Sequence, residues 1–502
     1  MARLLHCTLL VILSYFTAVV ASKDAKHVKV LIVGAGASGI KAAETIHKNG
    51  INDFLILEGK DYIGGRIHHV PFEGNMVPLG AGWIHEIGPN NPIWTLSQKL
   101  KMDVHHDNYS KFIVRDGHSG EELTGANSIY KELKMKVEQA DLKMKKRRKS
   151  GLSSIPIRSA LGMVGWNPFS YVMETLEYYH FDFQNGVSPK SLNSEVFSVT
   201  GEGKDVVVTD KRGYAHVLEH LAKPFKNKIR FNTVVSEIKH TDSFVKVTTT
   251  KGDVYKAEQI LLTVSSGVLI NNLIEFSPPL PSWKTDVIHL VPMCYYCKVF
   301  MKFPRRFWDD SNYILLSQRF RGDHVHWQNF DHPTLFHGDH ILMLTLTEDM
   351  CLNSEQMTDE AVKEKAMRSL QRVYGRNIPW PTAMLRNKWS RDPMTMGAYS
   401  NPVVGFAEKD YKRLQEPVGR IWFAGEYTTK DYGYVHGALA TGERSGKDIL
   451  ACMKNKKKCS NRSNNKTPYI IQRTDDMAEC AEEQKSGRKE NYGYKYWRDE
   501  FR

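Results

Sequence analysis

Three glycines and one acid near the start of the chain have the spacing of a grip on a dinucleotide. Gly34, Gly36 and Gly39 form a G-x-G-x-x-G pattern, and Glu58 follows it by about 20 residues, the distance at which a carboxylate meets ribose hydroxyls. In such a pattern the first glycine allows the tight turn, the second lets the backbone approach a pyrophosphate, and the third permits close packing of helix on strand. The helix that follows then turns free N–H groups and a positive dipole end toward the phosphates. Ser38, inside the same turn, joins the cofactor-binding set. A second pair, Gly64-Gly65, offers another close backbone approach, and Arg66 beside it carries a fork that can meet a phosphate.

The elements that must position these residues are legible around them. Val28 to Val33 is a β-branched apolar run; Ile40 to His47 has helical spacing; Phe54 to Leu57 is a second apolar run that ends at Glu58. Strand, glycine turn, helix, strand and acid in that order define a Rossmann-like unit. A merely structural glycine turn would not need the acid. The fingerprint serves NAD and FAD alike, and Gly64-Gly65-Arg66 is what discriminates, because an NAD enzyme has no particular need of it.

Gly64-Gly65-Arg66 resembles the second dinucleotide-contact motif of the flavin amine oxidases, and other segments extend the resemblance from about Val28 to Leu450. Val77-Pro-Leu-Gly80-Ala-Gly82-Trp83-Ile-His85 resembles the family's segment beside the flavin ring, and Gly419-Arg-Ile-Trp-Phe-Ala-Gly425-Glu426-Tyr427 its last FAD motif. Tyr434 and Val435 continue that motif, while Trp389 and Gly397-Ala-Tyr399-Ser400 match a further one. The cofactor implied is non-covalent FAD, since a covalent link would need a cysteine where Tyr432-Gly433-Tyr434 stands. Within the family the similarity is greatest to polyamine oxidases of the spermine and N1-acetylpolyamine oxidase type. By that comparison Lys298 would hold a water beside the flavin, and Tyr399 and Tyr434 would wall the substrate, as ring faces attract amine nitrogen and pack on methylenes. Plant extracellular members carry glutamate at the position of His85. Histidine here would hydrogen-bond a substrate nitrogen or help it lose its proton. Gln184 stands where a second glutamate is expected, and Glu86 is a candidate acid at the mouth of the site.

These matches imply an α/β fold with a Rossmann-like FAD-binding domain assembled from discontinuous segments and an α+β substrate-binding domain. The expected boundaries are 28–103, 206–288 and 413–453 for the first and 104–205 and 289–412 for the second, with a polar basic tail at 454–502. A strand from Phe231 to Ile238 would bring the Val235 backbone to the adenine. The reaction implied is oxidation of a C–N bond of spermine, spermidine or an acetylated derivative by oxygen, giving an aldehyde, a shorter amine and hydrogen peroxide. Alternatives are another secreted flavin amine oxidase acting on an amino acid or a monoamine, or a non-catalytic flavoprotein that binds anionic surface partners. No metal is required.

Composition bounds the remaining choices. A chain of 502 residues with 41% hydrophobic content is globular and suits two domains. Residues 1–22 read as a signal peptide with Arg3 before an apolar run, so a secreted or endomembrane-lumen protein is expected, and the sequons at Asn108, Asn461 and Asn465 fit that route. Lys and Arg exceed Asp and Glu by 69 to 56. The excess concentrates at Lys143 to Lys149 and Lys454 to Lys458, read as a solvated loop and a tail that could meet anionic glycans or a cell surface; no nucleic-acid motif accompanies them. Cys452, Cys459 and Cys480 are the better disulfide candidates, and the Cys294-x-x-Cys297 pair reads as neither redox nor metal site.

Overall fold

The computed structural model describes residues 25–195, 204–455 and 459, all within one compact unit. The signal segment, the sequons at Asn461 and Asn465, Cys480 and nearly all of the basic tail lie outside the described residues.

The strand Lys26–Val33 lies at the heart of an eight-stranded sheet, parallel to Phe54–Leu57 on one side and to Val254–Leu262 on the other. Ile421–Phe423, from the far end of the chain, joins alongside Val254–Leu262. Alternate residues of these strands face opposite cores, which explains why the sequence reads as unbroken apolar runs. Val30, Ile32, Phe54 and Ile56 pack under the helices Ala37–Lys48 and Val435–Lys454, whereas Leu31, Val33, Leu55 and Leu57 pack beneath the other face. Five strands from the second half of the chain, Tyr296–Lys302, Tyr313–Ser317, His326–Asn329, Ile341–Thr347 and Ala383–Arg386, join Phe112–Asp116 in a six-stranded sheet. A small sheet pairs Trp83–Ile84 and Val104–His106 with Val206–Val208.

Three local expectations are corrected. Lys143 to Lys149 is not a loop but the last two turns of the helix Ala126–Lys149. Leu133, Val137, Ala140 and Met144 bury one face of it, and a cationic end suits the helix dipole. The strand expected from Phe231 starts at Val235 and runs to His240, with a separate short strand, Ile229–Arg230, before it. Cys297, not among the expected disulfide candidates, forms a disulfide with Cys351 across to the helix Glu348–Gln356; 54 residues of sequence separate the two, so no spacing betrays the pair. Cys452 pairs with Cys459, and Cys294 is free and buried.

Candidate active site

A cavity of about 680 Å³ opens between the two large sheets, and its walls come from segments spread over the whole described chain. Its glycine-rich end is built as the sequence suggests. Gly34 has φ +106°, and a Cβ there would come within 2.5 Å of the Thr263 hydroxyl, so only glycine fits the turn. Gly39 does not line the cavity; it lies against the carbonyl of Gly34, which is the close helix-on-strand packing assigned to it. Gly36 and Gly64 run side by side as a parallel bridge, and the Gly64 N–H donates to the Ala35 carbonyl at 3.1 Å. Glu58 is buried at the rim, accepting from the backbone N–H of Ala35 at 2.6 Å and of Lys60 at 2.8 Å. Burial pushes its pKa up, and those two bonds oppose the rise.

These residues fit a dinucleotide. A Cβ on Gly36 or Gly65 would meet a single atom within 4 Å, so the room a side chain would take is left to the cavity. The helices Ala37–Lys48 and Val435–Lys454 both begin at this wall with no side-chain cap and no acid in the first turn. Two unclaimed positive helix ends suit a pyrophosphate. Ser38, Gly65, Val235, Gly425 and Val435 line the same space.

Arg66 and Glu426 differ from the expectation of direct ligand contact. Arg66 donates from Nη1 to Glu426 at 2.8 Å and to the Ala398 carbonyl at 3.2 Å. Glu426 also accepts from Ser400, through N at 3.2 Å and Oγ at 2.7 Å, and from the Gly433 N–H at 2.9 Å. The carboxylate therefore fastens three separate stretches of chain behind the cavity wall. Both side chains still line the cavity.

At the opposite end Lys298 rises from the strand Tyr296–Lys302 and is 4% exposed. Its Nζ donates to the carbonyls of Gly80 at 2.7 Å and Pro78 at 3.1 Å, and lies 4.7 Å from the Trp83 ring centre. Burial without an acid partner brings its pKa down to about 7. A neutral amine has two N–H groups, both engaged by those carbonyls, and its lone pair is left to accept. Gly82 and Trp389 complete this corner, the Trp389 Nε1 donating to the Leu79 carbonyl at 3.2 Å. Tyr399 packs over Gly433 and donates from its hydroxyl to the Gln184 carbonyl at 3.2 Å; Gln184 itself lines the cavity. Trp327 is fully buried and donates to the His324 carbonyl.

His85 also lines the cavity, its ring centre 4.9 Å from that of Tyr434. Nδ1 lies 2.8 Å from a carboxylate oxygen of Asp205. Because that oxygen accepts, Nδ1 carries a proton, and in the neutral ring Nε2 is left as the acceptor. The same carboxylate accepts from the Glu86 N–H at 3.0 Å and the Tyr109 hydroxyl at 3.2 Å. Glu86 has φ 53° and an exposed side chain outside the cavity lining. Asp205 is thus the acid at this rim that sequence reasoning missed. It is a lone acid before Val206–Val208, and only the pairing of that strand with Trp83–Ile84 brings it to His85. Asp107 was missed too: it is half-buried and accepts from Trp83 Nε1 at 2.6 Å and the Tyr313 hydroxyl at 2.5 Å. Asp205→Asn is expected to lower kcat/KM by about a hundredfold and to cost nothing further on a His85→Ala background. Additive losses in that double-mutant cycle would contradict the pairing.

Comparison with known proteins agrees with this geometry. The model for flavin containing amine oxidoreductases matches residues 37–450, and the chain belongs to that family. The cofactor is therefore FAD, held non-covalently. The chain is 33% identical to polyamine oxidase 1 of Zea mays, over 85% of this chain and 91% of that protein. It is 31% identical to polyamine oxidase 6 of Oryza sativa subsp. japonica, over 85% and 92%. Among solved structures, putrescine oxidase bound to putrescine superposes with a TM-score of 0.70 at 18% identity, covering 85% of this chain and all of that one, and so shares the fold.

Proposed function

We propose that the protein is a polyamine oxidase that cleaves a C–N bond of spermine, spermidine or an acetylated derivative, consuming oxygen and releasing an aldehyde, a shorter amine and hydrogen peroxide. The observation that carries this reading is that Tyr296, Tyr399 and Tyr434 wall the same cavity as a buried, acid-free Lys298. Bound flavin supplies two-electron acceptance from the carbon beside an amine nitrogen, with oxygen as the final acceptor. Gly34, Gly36, Gly64, Gly65 and the two helix starts would hold its phosphates, Glu58 its ribose, and Val235 its adenine.

The chain's own groups then have separable tasks. The phenol rings accept the methylene chain and attract amine nitrogen. Nε2 of His85, held by Asp205, accepts a proton from a substrate ammonium, which leaves that nitrogen uncharged. Lys298, largely neutral above its pKa of about 7, accepts a hydrogen bond at Nζ from a water or the substrate nitrogen. Gln184 and Glu86 stand on the approach. The segments 28–103, 206–288 and 413–453 form the FAD-binding domain, which also lends His85 and Tyr434 to the substrate, and 104–205 and 289–412 form the substrate-binding domain.

A secreted or lumenal location accompanies this reading. Two disulfides suit an oxidising compartment, and the Asn108 sequon is exposed in a turn where Asn108 Oδ1 accepts from the Ser110 N–H. A peroxide assay of the purified protein with spermine, spermidine and their acetylated forms, read together with product masses, tests the function. Spermine should yield peroxide with either propane-1,3-diamine or spermidine. A flavin-loaded protein inert to all of these amines would overturn it.

A further inference from the structure

The helix Ala126–Lys149 has no part in the site, yet it carries the densest charge in the described chain. From Lys131 to Lys149 there are nine cations against three acids, Glu132, Glu138 and Asp141. Some are tied down: Lys145 pairs with Asp141, Arg148 with Glu195, and Arg147 donates to the Ser153 carbonyl. Lys131, Lys146 and Lys149 are exposed, on the side opposite the buried Leu133, Val137, Ala140 and Met144.

That same outward side is not purely polar. Nine large hydrophobic side chains are exposed among the described residues, and six of them lie between Met135 and Tyr171. Met135 at 55% and Leu142 at 60% are two helical turns apart on the outward face. Lys136 and Lys143 donate to the carbonyls of Val164 and Met163, both at 2.8 Å, which lays the segment bearing exposed Met163 along the flank of the helix. Leu152 follows the helix end at 52%, and beyond Met163 the chain presents Phe169 at 90% and Tyr171 at 55%. Single exposed apolar side chains are ordinary. A concentration of them among unpaired lysines is not, because cations alone would suffice to hold a sulfated glycan.

We infer that this face docks on an anionic lipid bilayer surface, with Lys131, Lys146 and Lys149 meeting headgroups while Leu142, Phe169 and their neighbours enter the interface. The chemistry is that of an interfacial amphipathic element, in which apolar burial and attraction to anionic lipid add. Among the described residues no helix is long and apolar enough to cross a membrane, so the contact would be peripheral. The inference does not depend on the oxidase reading.

Vesicle sedimentation of the full chain tests it, using phosphatidylcholine alone and phosphatidylcholine with about one third phosphatidylserine. Binding is expected to the mixed vesicles only, and to weaken with salt. Phe169→Ser with Leu142→Ser should weaken it by about tenfold or more, while leaving retention on heparin and turnover of amine unchanged. Lys146→Glu with Lys149→Glu should weaken both vesicle and heparin binding. Failure of the wild-type chain to sediment with anionic vesicles would overturn the inference. So would full vesicle binding by the serine variant, which marks a purely electrostatic, glycan-type surface, or a dimer in solution that the serine variant dissolves. Unchanged melting temperatures and amine oxidation confirm that the exposed substitutions leave the fold intact.

Discussion

Lys298→Met is expected to give a folded, flavin-loaded protein whose kcat/KM for its amine falls by about two to three orders of magnitude. The side chains are close in volume, and methionine leaves no unsatisfied charge, so the loss isolates what Nζ does. In the wild type the two carbonyls of Pro78 and Gly80 take both N–H groups of the neutral amine, and its lone pair is the one acceptor Nζ can offer. The acid limb of the wild-type rate profile should therefore contain a titration near pH 7 that is missing in the variant. Stability should move the other way. An unfolded lysine titrates near 10.5, and burial lowers the folded value to about 7. Between those values the unfolded chain binds a proton that the folded chain does not, so wild-type stability rises with pH across that window. The burden is fully present at pH 7 and below. Methionine should raise the melting temperature there and flatten the slope toward pH 10. A variant of lower stability, or one with undiminished turnover, would show that Lys298 is an ordinary structural residue.

Glu426→Ala should be the most damaging single change to the fold around the cofactor, costing about 3 kcal/mol or more and releasing flavin on gel filtration. Removal of the carboxylate takes the acid partner from Arg66, which keeps the Ala398 carbonyl, and strands the Ser400 hydroxyl and two backbone N–H groups, of Ser400 and Gly433, at once. Glu426→Gln keeps the shape and one accepting oxygen, and should retain more flavin than alanine. Thermal melts of the holoprotein, paired with the flavin-to-protein absorbance ratio, check both. Equal flavin content in alanine variant and wild type would mean that the three joined segments hold the cavity without this fastener.

What could be read in the sequence tracks how local the physics is. Val28 to Val33, Gly34 to Gly39 and Phe54 to Glu58 form a unit closed within about 30 residues, where periodicity and turn chemistry specify the structure. Lys298, Tyr399 and Tyr434 were found only through the resemblance, since a lone lysine on a strand or a tyrosine beside glycine carries no signal of its own. Asp205 and Asp107 could not be found that way. Their roles come from contacts with distant residues, Asp205 with His85 120 positions away and Asp107 with Tyr313 206 positions away. The Lys143–Lys149 run was misread because its charge masks the apolar spacing of Leu133, Val137, Ala140 and Met144, which is what makes it helical.

The most direct measurement is the visible spectrum of the purified protein, first after acid precipitation and then without oxygen on addition of spermine. Yellow colour should pass into the acid supernatant, and spermine should bleach the intact protein, with colour returning on readmission of air. A colourless preparation, colour that stays with the precipitate, or a yellow protein that no polyamine bleaches would contradict the account of one cavity gripping a flavin beside Lys298 and the tyrosine walls.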